Sequence, residues 1–224
     1  MKLEYSIIYS SKTGNTKILA EKIYDILPKE QCTYYGNIAD IDKTLSNILY
    51  IGFWTEKGTA DLQTLTFLKN LKNKKIFLFG TAGFGESEKY FQNIINNIKK
   101  NIDRSNIIIG TFMCQGKMPI SVRKRYEKQK QELSRENIDN LIENFDKALS
   151  HPNQLDLEKL ENMIQNNYQK FKKEYEDENE KNKSSKINKN GISRNKKKFL
   201  SNLYYIKIFS YFMYDITTIK RRFK

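Results

Sequence analysis

The sequence predicts an α/β fold in which a doubly wound, five-stranded parallel sheet carries helices on both faces, followed by a helical C-terminal extension. Three observations carry this expectation. Short apolar runs alternate with stretches whose apolar residues recur every three or four positions. The runs are apolar throughout, as strands buried on both faces must be. Helix-like stretches separate them, and right-handed crossovers then leave only a few doubly wound topologies.

The elements follow in order. Leu3–Ser10 is the first strand-like run. Thr16–Leu27 carries Ile18, Leu19, Ile23, Ile26 and Leu27 as a helical stripe, ended by Pro28. Cys32–Asn37 is a weaker strand and Ile48–Trp54 a strong one. Ala60–Leu71 repeats the helical stripe through Leu62, Leu65, Leu68 and Leu71. Ile76–Thr81 is an apolar strand with a glycine-bearing turn after it. Ser87–Ile98 reads as a helix through Phe91, Ile94, Ile95 and Ile98, and Ile107–Met113 as the last strand. From Pro119 to Leu149 the chain reads as charged helix, able to lay Val122, Tyr126, Ile138, Leu141, Ile142 and Phe145 on the sheet. The organisation expected is a core domain over residues 1–150, a strongly polar helical extension over 151–180, a basic linker over 181–198 and an aromatic-rich basic helix over 199–224.

Composition narrows the chemistry. The 224 residues hold 40 Lys and Arg against 26 Asp and Glu, a formal charge of +14. Residues 1–150 carry roughly +6 and residues 151–224 roughly +8 in half the length. The two cysteines, Cys32 and Cys114, form no disulfide scaffold, and each reads as a small buried hydrophobe. One histidine, His151, supports neither a histidine metal centre nor a Ser-His-Asp triad. The N-terminus enters a strand pattern without a signal-peptide pattern, which predicts a cytoplasmic core domain.

The run Ser10-Ser11-Lys12-Thr13-Gly14-Asn15-Thr16 joins the first strand to the first helix. Backbone N–H groups in such a turn point at one anion, and the helix N-terminus adds positive partial charge. The hydroxyls of Ser11, Thr13 and Thr16 can donate to a phosphate without adding fixed charge, and Gly14 lets the backbone turn tightly. Each charge-assisted bond contributes about 1.5–3 kcal/mol, so five or six would dominate the binding of a monophosphate. A plain helix cap would need one hydroxyl, not three around a glycine. The run is neither a P-loop nor a GxGxxG fingerprint, which argues against an ATPase and against a dinucleotide site.

Ser11-Lys12-Thr13-Gly14-Asn15-Thr16 resembles the phosphate loop of flavodoxins, and the resemblance extends over roughly residues 3–150. It implies strand order 2-1-3-4-5 and FMN held at the carboxyl ends of strands 1, 3 and 4. It implies phosphate contacts from Ser11, Thr13, Gly14, Asn15 and Thr16, with Ser10 leading in and Lys12 facing outward. Two further loops fall where a flavin ring would lie. Phe53, Trp54, Thr55 and Gly58 follow the third strand, and Trp54 is either a ring wall or a core aromatic. Thr81, Ala82, Gly83, Phe84 and Gly85 follow the fourth, as close-approach backbone with Phe84 as a second wall, or as an ordinary turn. Met113–Pro119 is positioned to rim the ring or meet a partner. Only Glu56, Glu86 and Glu88 bring acid near the ring, offset by Lys57 and Lys89, which predicts a less negative potential for the fully reduced flavin than in acidic flavodoxins.

Residues 51–61, 79–85 and 112–119 are similar to a narrower group, the short flavodoxin-like proteins that accompany the bilirubin reductase of gut anaerobes. That similarity implies electron delivery to a separate reductase as redox partner. An FMN-dependent NAD(P)H oxidoreductase is the second reading, against which no pyridine-nucleotide motif is visible. A cofactor-free interaction protein is the third. The basic tail departs from the family pattern, since flavodoxins are typically acidic and dock on basic reductases. Phe199–Ile219 approaches membrane length but contains Lys207 and Asp215. It suits packing on the core or a partner, an anionic membrane surface contacted through residues 196–224, or a span. Nucleic acid is disfavoured, because stacking aromatics are not interleaved with the basic run.

Overall fold

A computed structural model describes residues 3–42, 44–85, 87–133 and 136–177. The strands are β1 (Tyr5–Tyr9), β2 (Cys32–Asn37), β3 (Ile48–Glu56), β4 (Thr59–Ala60), β5 (Lys75–Ala82) and β6 (Ile107–Gln115). The helices are α1 (Asn15–Ile26), α2 (Leu62–Asn70), α3 (Glu88–Lys99), α4 (Ile120–Leu133), α5 (Glu136–Ala148) and α6 over residues 154–177. Five strands pair in parallel in the order β2-β1-β3-β5-β6, and the two-residue β4 pairs antiparallel with β3. With β4 set aside, this is the expected doubly wound order, and the expected fold is the observed one.

Strand side chains alternate between two apolar layers. In β5, Ile76 and Leu78 join one layer and Phe77 and Phe79 the other. The first layer also takes Leu49, Ile51 and Phe53 from β3, with Leu68 of α2 and Ile94, Ile95 and Ile98 of α3. The second takes Tyr5, Ile7 and Tyr50, with Leu19, Ala20 and Ile23 of α1. Its aromatics pack edge to face: the Tyr5 and Tyr50 rings lie 5.8 Å apart at 88°. The Tyr5 hydroxyl donates to the Pro28 carbonyl at 3.0 Å, so this buried polar atom is paired just where α1 gives way to the turn.

The second layer is completed by α6 and not by the 119–149 segment. Leu160, Ile164 and Phe171 of α6 are buried there, with Leu157 and Tyr168 packed at its margin. Their spacing is a helical stripe hidden among Glu, Lys and Asn, which gave the stretch its polar average. Residues 119–149 fold instead as an antiparallel pair, α4 and α5, inserted between β6 and α6. Arg123 clamps the pair, its Nε and Nη2 meeting the Asp146 carboxylate at 3.0 and 3.2 Å. That fork holds the Asp146 carboxyl below its usual range.

Two compact units are distinguished, Met1–Phe171 and Lys172–Lys224, and of the second the described residues are 172–177, the end of α6. The expectations for 181–198 and 199–224 lie outside the described residues. Among the described residues no helix is long and apolar enough to cross a membrane.

The role of α6 is open to measurement. Leu160→Ala is expected to lower unfolding free energy by about 2–5 kcal/mol in urea titration, the range for a buried leucine. Leu155→Ala, at a position 65% exposed, is expected to change it by less than about 0.5 kcal/mol.

Candidate functional site

Strands β1, β3, β5 and β6 end at one edge of the sheet, and the direction of strand order reverses between β1 and β3. Open α/β sheets bind ligands in the crevice at such a reversal. A cleft of about 420 Å³ opens there, within the size range of small-ligand sites.

The loop from β1 to α1 is shaped by its backbone. The Ser10 N–H donates to the Gly52 carbonyl at 2.9 Å, which ties the loop's start to β3. Gly14 sits at φ 85°, a left-handed conformation that favours glycine, and its carbonyl accepts the Ile18 N–H at 3.0 Å to begin the helix. The first turn of α1 therefore presents its amide N–H groups along the loop. Asn15 is 4% exposed. Its side-chain amide donates to Thr13 Oγ1 and to the Lys117 carbonyl, both at 2.9 Å. The Thr13 hydroxyl reaches the same carbonyl at 3.3 Å. The exit of β6 is thus stapled onto the loop. Gly116 permits the approach, because a Cβ there would lie 2.7 Å from Asn15 Nδ2 and 3.1 Å from Thr81 Cβ.

Of the residues singled out by sequence, Lys12, Thr13, Asn15, Trp54, Thr55 and Gly58 line the cleft, as do Thr81, Ala82, Gly83 and Phe84. The others stand differently. Ser11 Oγ accepts the Lys17 N–H at 3.3 Å beside the helix start. Thr16 is fully buried, and its hydroxyl donates to the Phe53 carbonyl at 3.2 Å, facing Thr81 Oγ1 at 3.3 Å. Ser10 is buried, and Gly14 acts through its backbone. Phe53 turns its ring into the apolar layer under α2 and α3, because it shares parity with Leu49 and Ile51. Gly85 borders a different hollow. Lys12 does not simply face outward: its ammonium lies over the Trp54 ring, 4.6 Å from the centroid.

The loop after β3 is a tight hairpin. Glu56 pairs with Thr59 across Lys57 and Gly58, at φ 49° and 78°. Two positive φ values in a two-residue turn match the twist of paired strands. The hairpin holds Trp54 and Thr55 at the cleft. The Thr55 hydroxyl oxygen is buried without a hydrogen-bond partner, so a polar atom of a bound ligand would complete it. Phe84 is 38% exposed and leans edge-on against Tyr90, with ring centroids 6.4 Å apart.

Two buried side chains that the sequence did not flag hold the β5 loop. Gln115 Nε2 donates to the Gly83 carbonyl at 3.0 Å and to Asn144 Oδ1 at 3.1 Å. Asn144 Nδ2 donates to the same Gly83 carbonyl at 3.0 Å. The α4–α5 pair also brings Val122, Arg125 and Tyr126 to the cleft wall. Lys12, Lys57, Lys117 and Arg125 line the cleft, and among the described residues no carboxylate does. Glu56 and Glu88 are exposed in the described structure, and Glu86 lies outside the described residues.

A second hollow, about 470 Å³, lies along β6 between Cys114, His151 and Lys159. No phosphate-loop residue forms its wall, so it is separate from the cleft. His151 Nδ1 pairs there with Asp156 Oδ2 at 2.5 Å. Burial pushes the Cys114 thiol well up, and the Asp156 charge adds to it. Burial also raises Cys32. Neither environment favours a reactive thiolate.

Asn144→Ala is expected to cost about 1–3 kcal/mol in denaturant unfolding, the penalty of leaving buried amide groups unpaired. Iodoacetamide at pH 8 should leave Cys114 unmodified in the native protein and label it after unfolding, as read by mass spectrometry.

Residues 6–165 match a family described as Flavodoxin domain. The chain is 34% identical over 179 residues to a flavodoxin-like domain-containing protein BilS of Clostridium symbiosum (strain WAL-14163), covering 72% of this chain and 94% of that one. It is 34% identical over 160 residues to a protein of the same description from Clostridioides difficile (strain CD3), covering 67% and 88%. The solved structure of oxidised Flavodoxin 2 from Bacillus cereus aligns with a TM-score of 0.47 at 14% identity, over 75% of this chain and 99% of that one. The matched segment contains the whole sheet, the stapled loop and the cleft it closes, and the chain belongs to the flavodoxin family.

Proposed function

We propose that the chain binds FMN in this cleft and serves as an electron-transfer protein for a separate reductase. The observation that carries the reading is the stapled loop, where Gly14, Asn15 and Thr13 are locked into one arrangement at the mouth of a ring-sized cleft. The FMN phosphate would be held by the Ser11 and Thr13 hydroxyls and the backbone N–H groups opening α1, that of Asn15 among them, while the Asn15 side chain keeps the loop in place. Trp54 and Phe84 would flank the ring, and Thr55 would offer its unpartnered hydroxyl. Thr16 acts from inside, bracing β3 against the helix start through the Phe53 carbonyl.

Bound FMN supplies the one- and two-electron chemistry, so a carrier needs no general acid, base or nucleophile from the protein. The chain binds and orients the flavin and sets the charge around it. Lys12, Lys57, Lys117 and Arg125 at the cleft would stabilise negative charge on a reduced ring held there. Two unit charges about 4 Å apart interact by about 4 kcal/mol at an effective dielectric near 20, enough to raise the potential measurably. The similarity of residues 51–61, 79–85 and 112–119 to companions of bilirubin reductase supports a bilirubin-reducing partner downstream. A cytoplasmic setting belongs to this reading, with residues 196–224 as the part that would meet an anionic inner membrane face.

Titrating the apoprotein with FMN and with riboflavin tests the reading by flavin fluorescence. FMN should bind at least about 100-fold more tightly, since two charge-assisted bonds of 1.5–3 kcal/mol each suffice for that ratio. Thr13→Val should remove about tenfold or more of the FMN affinity and leave riboflavin nearly unchanged. Equal affinity for the two flavins, or none for either, would sink the assignment. Redox titration of the holoprotein should give a less negative potential for full reduction than acidic flavodoxins show.

A further inference from the structure

We infer that the mouth of the cleft is a docking face for an acidic redox protein, one whose carboxylates surround its own electron-accepting group. The inference rests on the reading of the cleft as a flavin site and names the chemistry of the partner.

Four cations reach the cleft from four separate parts of the chain. Lys12 comes from the β1 loop, Lys57 from the hairpin tip, Lys117 from the β6 exit and Arg125 from α4. All four residues are exposed, and among the described residues none of them forms an ion pair. Some cations elsewhere on the described surface sit beside acids, such as Lys17 with Glu21, Lys29 with Asp25, Arg123 with Asp146 and Lys130 with Asp139. Gathering like charges at one opening, with no carboxylate among the described residues that line it, destabilises the free protein slightly, and an anionic surface laid over the opening offsets that repulsion.

The cations are also held. Lys57 stands on a two-residue turn with fixed positive φ values. Lys12 rests on the Trp54 ring at 4.6 Å, and Arg125 lies 5.5 Å from the Tyr126 ring. The Lys117 backbone is fixed on both sides, its N–H donating to the His151 carbonyl at 3.1 Å and its carbonyl accepting from Asn15. Side chains ordered in advance lose less entropy on docking. Trp54, Phe84 and Pro119 line the same opening, so apolar and cationic side chains share the face, as they do in protein interfaces. Cations supplied by four separate segments suit an extended anionic surface.

Cytochrome b5, an acidic haem protein, serves as probe, and basic cytochrome c as its counterpart. The full-length holoprotein is photoreduced anaerobically, and its oxidation by each cytochrome is followed by stopped flow. Each rate is divided by the rate to a neutral quinone, which cancels any effect on the flavin itself. At low ionic strength the parent should favour cytochrome b5. The variant Lys57→Glu/Arg125→Glu should lose about tenfold or more of the normalised rate, and the loss should fade as salt rises. Lys69→Glu/Lys99→Glu makes the same change in net charge on the helix ends away from the cleft and should change the rate less than about twofold. Equal slowing by the two variants means net charge alone acts, and it overturns the docking face, as does a parent that favours cytochrome c. Binding of the apoproteins to cytochrome b5 by calorimetry gives the same comparison without flavin, so a chain that holds no FMN would refute the cofactor reading and still test the face. A cleft variant that releases phosphatidylglycerol vesicles but keeps cytochrome b5 would assign the face to a membrane and overturn the inference.

Discussion

One buried side-chain amide organises the carboxyl edge of this sheet. Asn15 lies in the first turn of α1, yet its amide reaches back to Thr13 and across to the Lys117 carbonyl. It therefore fixes two loops more than a hundred residues apart in one geometry. A left-handed Gly14 before it and a side-chain-free Gly116 against it are the steric conditions for that bond. Removal of the amide would leave the Lys117 carbonyl with only the longer contact from the Thr13 hydroxyl, which is why a loop at the surface rests on a residue that is almost wholly covered.

The walls follow from strand parity. Trp54 and Phe53 are neighbours in β3, and alternation sends one to the cleft and the other to the core. The β3–β4 hairpin then stops the strand from fraying and turns Lys57 outward over the opening. On the far side, Gln115 and Asn144 converge on the Gly83 carbonyl, so the backbone that would face a planar ring is held by two amides from different elements.

Much of this was legible in the sequence, for identifiable reasons. The strands and helices announced themselves by period, and the loop at the cleft by hydroxyls around a glycine directly after a strand. Phe53 was legible in principle, since counting from Leu49 and Ile51 places it on the core side. The direction of the Thr16 hydroxyl was not, because a local motif does not say whether a threonine donates outward or to a carbonyl behind it. The stripe Leu157, Leu160, Ile164, Tyr168, Phe171 was present but outweighed by the charged residues between its members. The pairing of Gln115 with Asn144, 29 residues apart, left no local trace, because long-range hydrogen bonds carry no period.

The α4–α5 insertion has a consequence for how the cleft could open. These two helices pack on each other under an arginine clamp, while the sheet's own cover is supplied by α6. One side of the cleft is therefore an inserted helical pair, tied to the end of β5 through amides at Gly83. Local opening draws on the weakest unit and leaves the strongest intact. A ligand could be loaded or surrendered by loosening that one panel, with the sheet and the stapled loop never leaving their folded state.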